Sequence, residues 1–397
     1  MTSSPHLASR TGFDAARRER HCPAMDRSDE TAFTDFEAAH LTVRLSAIAD
    51  NFKATQRLAG PAAVAAVVKA DAYGSGLAPA AGALAAAGCD TFFVARLEEG
   101  LALRPLVPKA RIFVLDGAQP DMVPALIAHN LTPVLNANAE IAAWSAAAHA
   151  TRRTLDAAIH IDTGMNRLGL PASELATLAG EHGKRLAGVR VVLWVSHLAC
   201  SDEPESKMNR LQLDRFKTAL AMLPQAPASL SSSGGILLGK EYLFDMVRPG
   251  LALYGGNPQP GNPNPFAPAV RLTARLMQLR RAEKGETVGY GASFRTKRVS
   301  LLGTAGLGYA DGIFRAVSNR GAVAVGGVRA PVVGRVSMDL VTFDLTDVPG
   351  TLAPGMDVEF VGETISLEEI AAAAGTISYE ILTSLSRRAR RSYEDAP

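Results

Sequence analysis

Net charge is almost absent from this chain: 41 lysine and arginine residues against 39 aspartate and glutamate leave +2 over 397 residues. So even a balance gives no reason to expect nucleic acid or an anionic membrane surface as partner. Cysteine is scarce too. Cys22, Cys89 and Cys200 are too few and too scattered for a disulfide framework or a zinc site, so no metal is expected. No apolar run reaches the length of a membrane span; the longest, Leu77 to Cys89, is broken by Pro79 and two glycines. A signal peptide's apolar core is missing. Residues 1–37 are polar and arginine-rich and read as a disordered extension of a cytoplasmic protein. No Gly-x-x-x-x-Gly-Lys-Ser/Thr loop occurs, so nucleoside triphosphate chemistry has no support.

What remains is an ordinary globular composition, 47% hydrophobic and 20% charged, with length enough for two domains. Ser46 is placed to cap a helix whose inner face is Ile48, Phe52, Thr55 and Leu58 and whose end is Gly60. Ala62 to Val68 is then a continuous apolar run, the pattern of a strand buried on both faces. Similar runs recur at Phe92–Ala95, Ile112–Leu115, Leu131–Leu135, Ala157–Ile161, Val191–Ser196, Ser229–Ser231 and Met246–Val247, with helical stretches such as Ala139–His149 and Lys207–Leu223 between them. About eight β/α repeats close a TIM barrel. The fourth and seventh runs are the weakest, which leaves an open doubly wound sheet as the alternative.

The Pro/Gly/Asn-rich stretch from Gly255 to Phe266 is the clearest boundary. Beyond it the period changes: Val270, Leu272, Ala274 and Leu276 alternate with Arg271, Thr273 and Arg275, as in a half-buried antiparallel strand. Runs at Leu301–Leu307, Ala322–Val325 and Val332–Val336 follow, with one helix near Leu367–Ala374. The expected organisation is an α/β chain: an N-terminal (β/α)8 barrel over residues 38–262, then a mainly β domain over 263–397.

Lys69 follows the first apolar run and heads Lys69-Ala-Asp-Ala-Tyr73-Gly. At the C-terminal end of a barrel strand it sits on the catalytic face, where desolvation lowers an amine's pKa and suits it to condense with a carbonyl. Alone, it reads more readily as a lysine snorkelling to solvent. Other polar clusters end other strands: Asp162-Thr-Gly-Met-Asn-Arg167 the fifth, Ser196-His197 the sixth, Ser231-Ser-Ser-Gly-Gly235 the seventh, Val247-Arg248-Pro-Gly250-Leu251 the eighth. Glycine- and serine-rich turns after strands seven and eight lie where barrels bind phosphate through backbone N–H groups.

From Leu41 to Tyr393 the chain resembles the alanine racemases, the barrel-type pyridoxal-phosphate enzymes. The motifs at Lys69, Asp162 and Val247, together with Gly308-Tyr-Ala-Asp-Gly and Val336-Ser-Met-Asp339, match in order and spacing. The resemblance implies that pyridoxal 5'-phosphate is carried on Lys69. Tyr73, Ser233, Gly250, Leu251 and Tyr379 would hold its phosphate, Arg167 its phenolic oxygen, and Arg248 would face its ring nitrogen. An arginine cannot accept a proton, so that nitrogen stays unprotonated and the ring is a weaker electron sink. L- and D-alanine would interconvert between two acid/bases, Lys69 on one face of Cα serving D-alanine and Tyr290 on the other serving L-alanine. A tyrosine hydroxyl, with an ordinary pKa of about 10, needs cationic or hydrogen-bonding neighbours to serve as a base; His197 and Arg248 would form that chain. Arg167 and the backbone of Met338 would meet the substrate carboxylate, and Tyr309 with Tyr379 would narrow the entrance to suit a methyl side chain. A homodimer sharing its active sites is implied.

Plainer readings stand beside these. Tyr290 is compatible with a packing residue, His197 with a structural histidine, and Arg167 and Met338 with local packing. Rival functions are a non-catalytic pyridoxal-phosphate-binding barrel, a related decarboxylase (its Cys-Gly-Asp motif is missing from the β domain) and a racemase that also takes serine. Two departures from the family pattern bear on the site. His160 occupies the usual position of a carbamylated lysine, seven residues before Arg167, and Ser232-Ser233 replaces Asn-Ser. A small anion such as chloride would bridge His160 and Arg167, or His160 is neutral and bonded to a neighbour.

Overall fold

The computed structural model describes residues 38–385 and 388–395; the expected extension, 1–37, lies outside them. Each of the eight apolar runs carries a strand. They are Ala63–Val64 continued by Ala66–Val67, Thr91–Val94, Arg111–Val114, Thr132–Leu135, Leu155–His160, Val189–Val195, Ala228–Ser229 and Met246–Val247. Neighbours pair parallel from Ala66–Val67 round to Ala228–Ser229. Met246–Val247 closes the ring by pairing with Ala63–Val64, while the Asp245 and Arg248 amides donate to the Ala228 and Ser231 carbonyls at 3.0 and 2.9 Å. The open-sheet alternative is excluded. Thr91–Val94 and Thr132–Leu135 are buried at every residue, their leading threonines included, as expected of strands covered on both faces.

The first helix, Leu45–Ala59, ends at Gly60 as expected, with φ +60°. Its start differs. Arg44, not Ser46, is the N-cap, because the helix grows directly from the strand Ala39–Arg44; Ser46 Oγ donates to Asp395 Oδ2 at 3.3 Å instead. Ile48, Phe52 and Thr55 are buried, but Ala59 takes the inner position expected of Leu58, which is exposed. The helices Asn138–Thr151 and Lys207–Ala221 lie in their expected places.

After the barrel the Pro/Gly/Asn-rich stretch is pinned by buried amides: Asn257 Nδ2 donates to the Asn262 carbonyl at 2.7 Å, and Gln259 Nε2 to those of Ser201 and Gly234 at 3.3 and 3.2 Å. The long strand Val270–Ala282 organises the second layer. It buries Val270, Leu272, Ala274 and Leu276 and exposes Arg271 and Arg275, although Thr273 is buried as well. Ala39–Arg44 pairs with it antiparallel and with Arg390–Glu394 parallel, so the first described strand joins the mainly β layer rather than the barrel. The run Val332–Val336 is not a strand. Val328–Pro331 stops before it, Val332 keeps one bridge to Phe343, and Gly334 at φ +78° turns the chain away. The helix Leu367–Ala374 is capped by Ser366, and a further one, Ser378–Ser384, brings Tyr379 to the barrel mouth.

Candidate active site

The C-terminal ends of the barrel strands surround a cavity of about 280 Å³. Lys69 lies at its edge, and the backbone behind it is unusual. Ala70, Asp71, Ala72 and Tyr73 all adopt φ of +53 to +55°, a left-handed turn without a glycine. Each such residue costs roughly 1–2 kcal/mol, so the turn persists only because its surroundings impose it. It carries Tyr73 back under the cavity, where its ring stacks on Tyr254 at 4.8 Å and lies 6.0 Å from Tyr379. Burial and the Arg167 cation lower the Lys69 pKa, opposed by Glu99 and Asp116.

Arg248 is buried at the cavity base. It donates to Ser229 Oγ, to the Ser196 carbonyl at 2.7 Å and, more weakly, to the Leu230 carbonyl and His197 Nδ1 at 3.4 Å. None of these partners is a carboxylate, and burial pulls the guanidinium pKa down to about 10, so it stays a cation near neutrality. Because arginine only donates, His197 accepts on Nδ1 and carries its hydrogen on Nε2. Burial first, then Arg248, hold His197 well below the usual histidine range, so it is a neutral donor.

His160 repeats this logic. Its Nδ1 donates to Asn136 Oδ1 at 2.9 Å, while Asn136 Nδ2 donates to the Leu115 and Val134 carbonyls at 3.0 and 2.9 Å. Burial and Arg248 push the His160 pKa down to about 4. On the far wall, Ser233 Oγ accepts from the Gly250 and Ala252 amides at 2.9 and 3.2 Å. Gly250 has no room for a side chain: a Cβ there would fall 2.1 Å from Tyr73 Oη. Burial pushes the Tyr379 hydroxyl up to about 12 and that of Tyr73 further still, so both stay protonated and able to donate.

A profile of the alanine racemase N-terminal domain matches residues 43–258, and one of the alanine racemase C-terminal domain matches residues 269–393. A catabolic alanine racemase of Agrobacterium fabrum is 48% identical over 358 residues, covering 90% of this chain and 92% of that protein. This chain belongs to the alanine racemase family. The biosynthetic alanine racemase of the same organism is 44% identical, with 90% and 95% covered. The crystal structure of the Bartonella henselae alanine racemase, with covalently bound pyridoxal phosphate, superposes with a TM-score of 0.86 at 38% identity, over 90% of this chain and 99% of that one.

Of the residues the racemase resemblance singled out, Lys69, Tyr73, Arg167, His197, Ser233, Arg248, Gly250, Leu251 and Tyr379 line the one cavity. Tyr290, Tyr309 and Met338 do not. They lie on the mainly β layer, 70%, 43% and 53% exposed, with the Tyr309 and Ala310 amides bonded to the Ser337 and Met338 carbonyls at 3.0 Å. Asp116 lines the cavity and Asn136 orients His160, and neither was anticipated. The signal was positional, since both follow barrel strands as the recognised site residues do. At the two departures from the family pattern, Ser232 lines the cavity, and His160 takes the neutral, side-chain-bonded form rather than a cationic one.

Proposed function

We propose that this protein interconverts L- and D-alanine with pyridoxal 5'-phosphate, Lys69 and Tyr290 acting on opposite faces of Cα. The observation that carries the reading is the convergence of Lys69, its basicity lowered, and the carboxylate-free cation Arg248 on one cavity. The cavity fits the cofactor. Lys69 would hold the carbonyl end, Arg167 the phenolic oxygen and Arg248 the ring nitrogen. Gly250, lacking a side chain, lets Tyr73 Oη approach the backbone closely, and the Ser233, Tyr73 and Tyr379 hydroxyls with the Gly250 and Leu251 backbone would take the phosphate. When bound, pyridoxal phosphate supplies the electron sink that acidifies the Cα–H bond. Arg248 cannot take a proton, which moderates that sink and favours return of the proton to Cα.

Lys69 removes or returns the proton on one face. The opposite face needs a second acid/base, which Tyr290 supplies from a second copy of the chain, with Met338 and Tyr309 beside it. The exposure of these three residues, none of which lines the cavity of its own chain, supports a shared site. His197 Nε2–H, backed by Arg248, is the donor available to steady a tyrosine oxygen there. No helix among the described residues is long and apolar enough to cross a membrane, and we place the enzyme in the cytoplasm.

Mixing inactive Lys69→Ala with inactive Tyr290→Phe, under conditions of proven subunit exchange, tests the shared site. Random pairing should restore about a quarter of the wild-type activity, because half the dimers are mixed and each has one intact site. No recovery would mean that each chain builds its own site. His160 gives a second test. A neutral histidine bonded to Asn136 offers no charge to recruit an anion, so activity should stay flat as chloride replaces a bulky anion at constant ionic strength. A rise with chloride would restore the bridging anion.

A further inference from the structure

The left-handed turn after Lys69 has backbone hydrogen bonds of its own, Ala72 N–H to the Val68 carbonyl and Gly74 N–H to that of Ala70. The side chain that grips its first residue, however, stands outside the cavity. We infer that Glu99 is a positioning residue whose carboxylate fixes this turn and thereby aims the Lys69 amine. The inference rests on Lys69 being the reacting amine, as proposed above. Glu99 lies in the helix Leu97–Leu103, just after the second barrel strand. Its Oε1 accepts from the amide of Ala70, the first left-handed residue, at 2.7 Å. Its Oε2 accepts from the amides of Ala95 and Arg96, at the end of the neighbouring strand, at 2.8 and 3.1 Å. One carboxylate thus ties the residue next to Lys69 to the rigid rim of the ring, using both oxygens.

The far end of the turn is held separately. Arg391 donates to the Gly74 carbonyl at 3.3 and 3.2 Å, and Asp71 Oδ1 accepts from the Leu77 amide at 2.7 Å. These grips secure residues 71–77; the Ala72 amide donates to the Val68 carbonyl at 3.0 Å, and Glu99 is the one side chain that reaches a peptide adjoining Lys69 among the described hydrogen bonds. Its charge acts on the amine as well: with Asp116 it favours the ammonium form, against burial and Arg167.

Glu99→Gln tests the assignment, since an amide nitrogen cannot accept from an N–H. Two readouts are needed. In the cofactor-loaded enzyme, kcat per bound cofactor should fall about fivefold or more while KM for alanine holds, because a misaimed amine loses rate rather than affinity. In the full-length chain freed of cofactor, trace acetylation by acetic anhydride, followed on the Lys69 peptide by mass spectrometry, should show its pH midpoint moving down. A smaller fall in kcat, or a fall without movement of that midpoint, would overturn the inference. Should Glu99→Gln fail to fold, Glu99→Asp keeps the charge and shortens the reach, and the same loss of kcat with an unchanged KM is required of it. Lys69→Ala is the control: if it retains Cα-proton exchange, the reading of Lys69 fails whatever Glu99 does.

Discussion

Lys69→Ala is expected to leave at most about 10⁻⁴ of the wild-type racemisation rate, because one substitution removes both the cofactor's attachment and an acid/base. Borohydride reduction of the wild-type enzyme should fix the cofactor's mass on the Lys69 peptide; an adduct on any other lysine would sink the assignment. The pH dependence has a definite sign. Burial and Arg167 both disfavour the ammonium form, so the amine becomes a base at lower pH than a solvent-exposed lysine does. The acidic limb of D-alanine Cα-proton exchange, the half-reaction assigned to Lys69, should therefore lie below the ordinary lysine range. A limb at the ordinary lysine pKa would mean that the amine is better solvated than the cavity indicates.

How much of this was legible before the fold depends on where each interaction lives. Barrel strands buried on both faces are mainly apolar, so most of the runs stood out, while those at Thr132–Leu135 and Ala228–Ser229 were the weakest because Thr132 and Ser229 interrupt the pattern. The cavity side chains were visible too, because they follow strand ends and sit in motifs of fixed spacing. The left-handed turn was not. Ala-Asp-Ala-Tyr has no glycine to announce positive φ, and what stabilises it arrives from Glu99, 29 residues on, and Arg391, 317 residues beyond Gly74. Asn136 and Asp116 escaped for the same reason. A carboxamide at a strand end reads as a cap until its partner, His160, is seen 24 residues away. Ala39–Arg44 shows the limit of reading by order along the chain. It precedes the barrel in sequence, yet the strands beside it are Val270–Ala282 and Arg390–Glu394.

Tyr290→Phe should separate the two faces of the reaction. Loss of a general acid/base costs about 10²–10⁴ in the step it serves, so exchange of the L-alanine Cα proton should collapse by that factor. D-alanine exchange should persist, since Lys69 can remove its proton, trade it with solvent and return it to the same face. Racemisation rates alone cannot reveal this. The enantiomers have equal free energy, so kcat/KM stays equal in the two directions whatever is mutated, and the asymmetry appears only in deuterium wash-in without inversion. Misfolding does not confuse the result, because Tyr290 is 70% exposed on its own chain and surface changes of this kind usually shift stability by less than about 0.5 kcal/mol. An unchanged Tm would confirm it. Equal loss of wash-in from both enantiomers would instead require a single group to serve both faces, and Tyr290 would then be only part of the entrance wall.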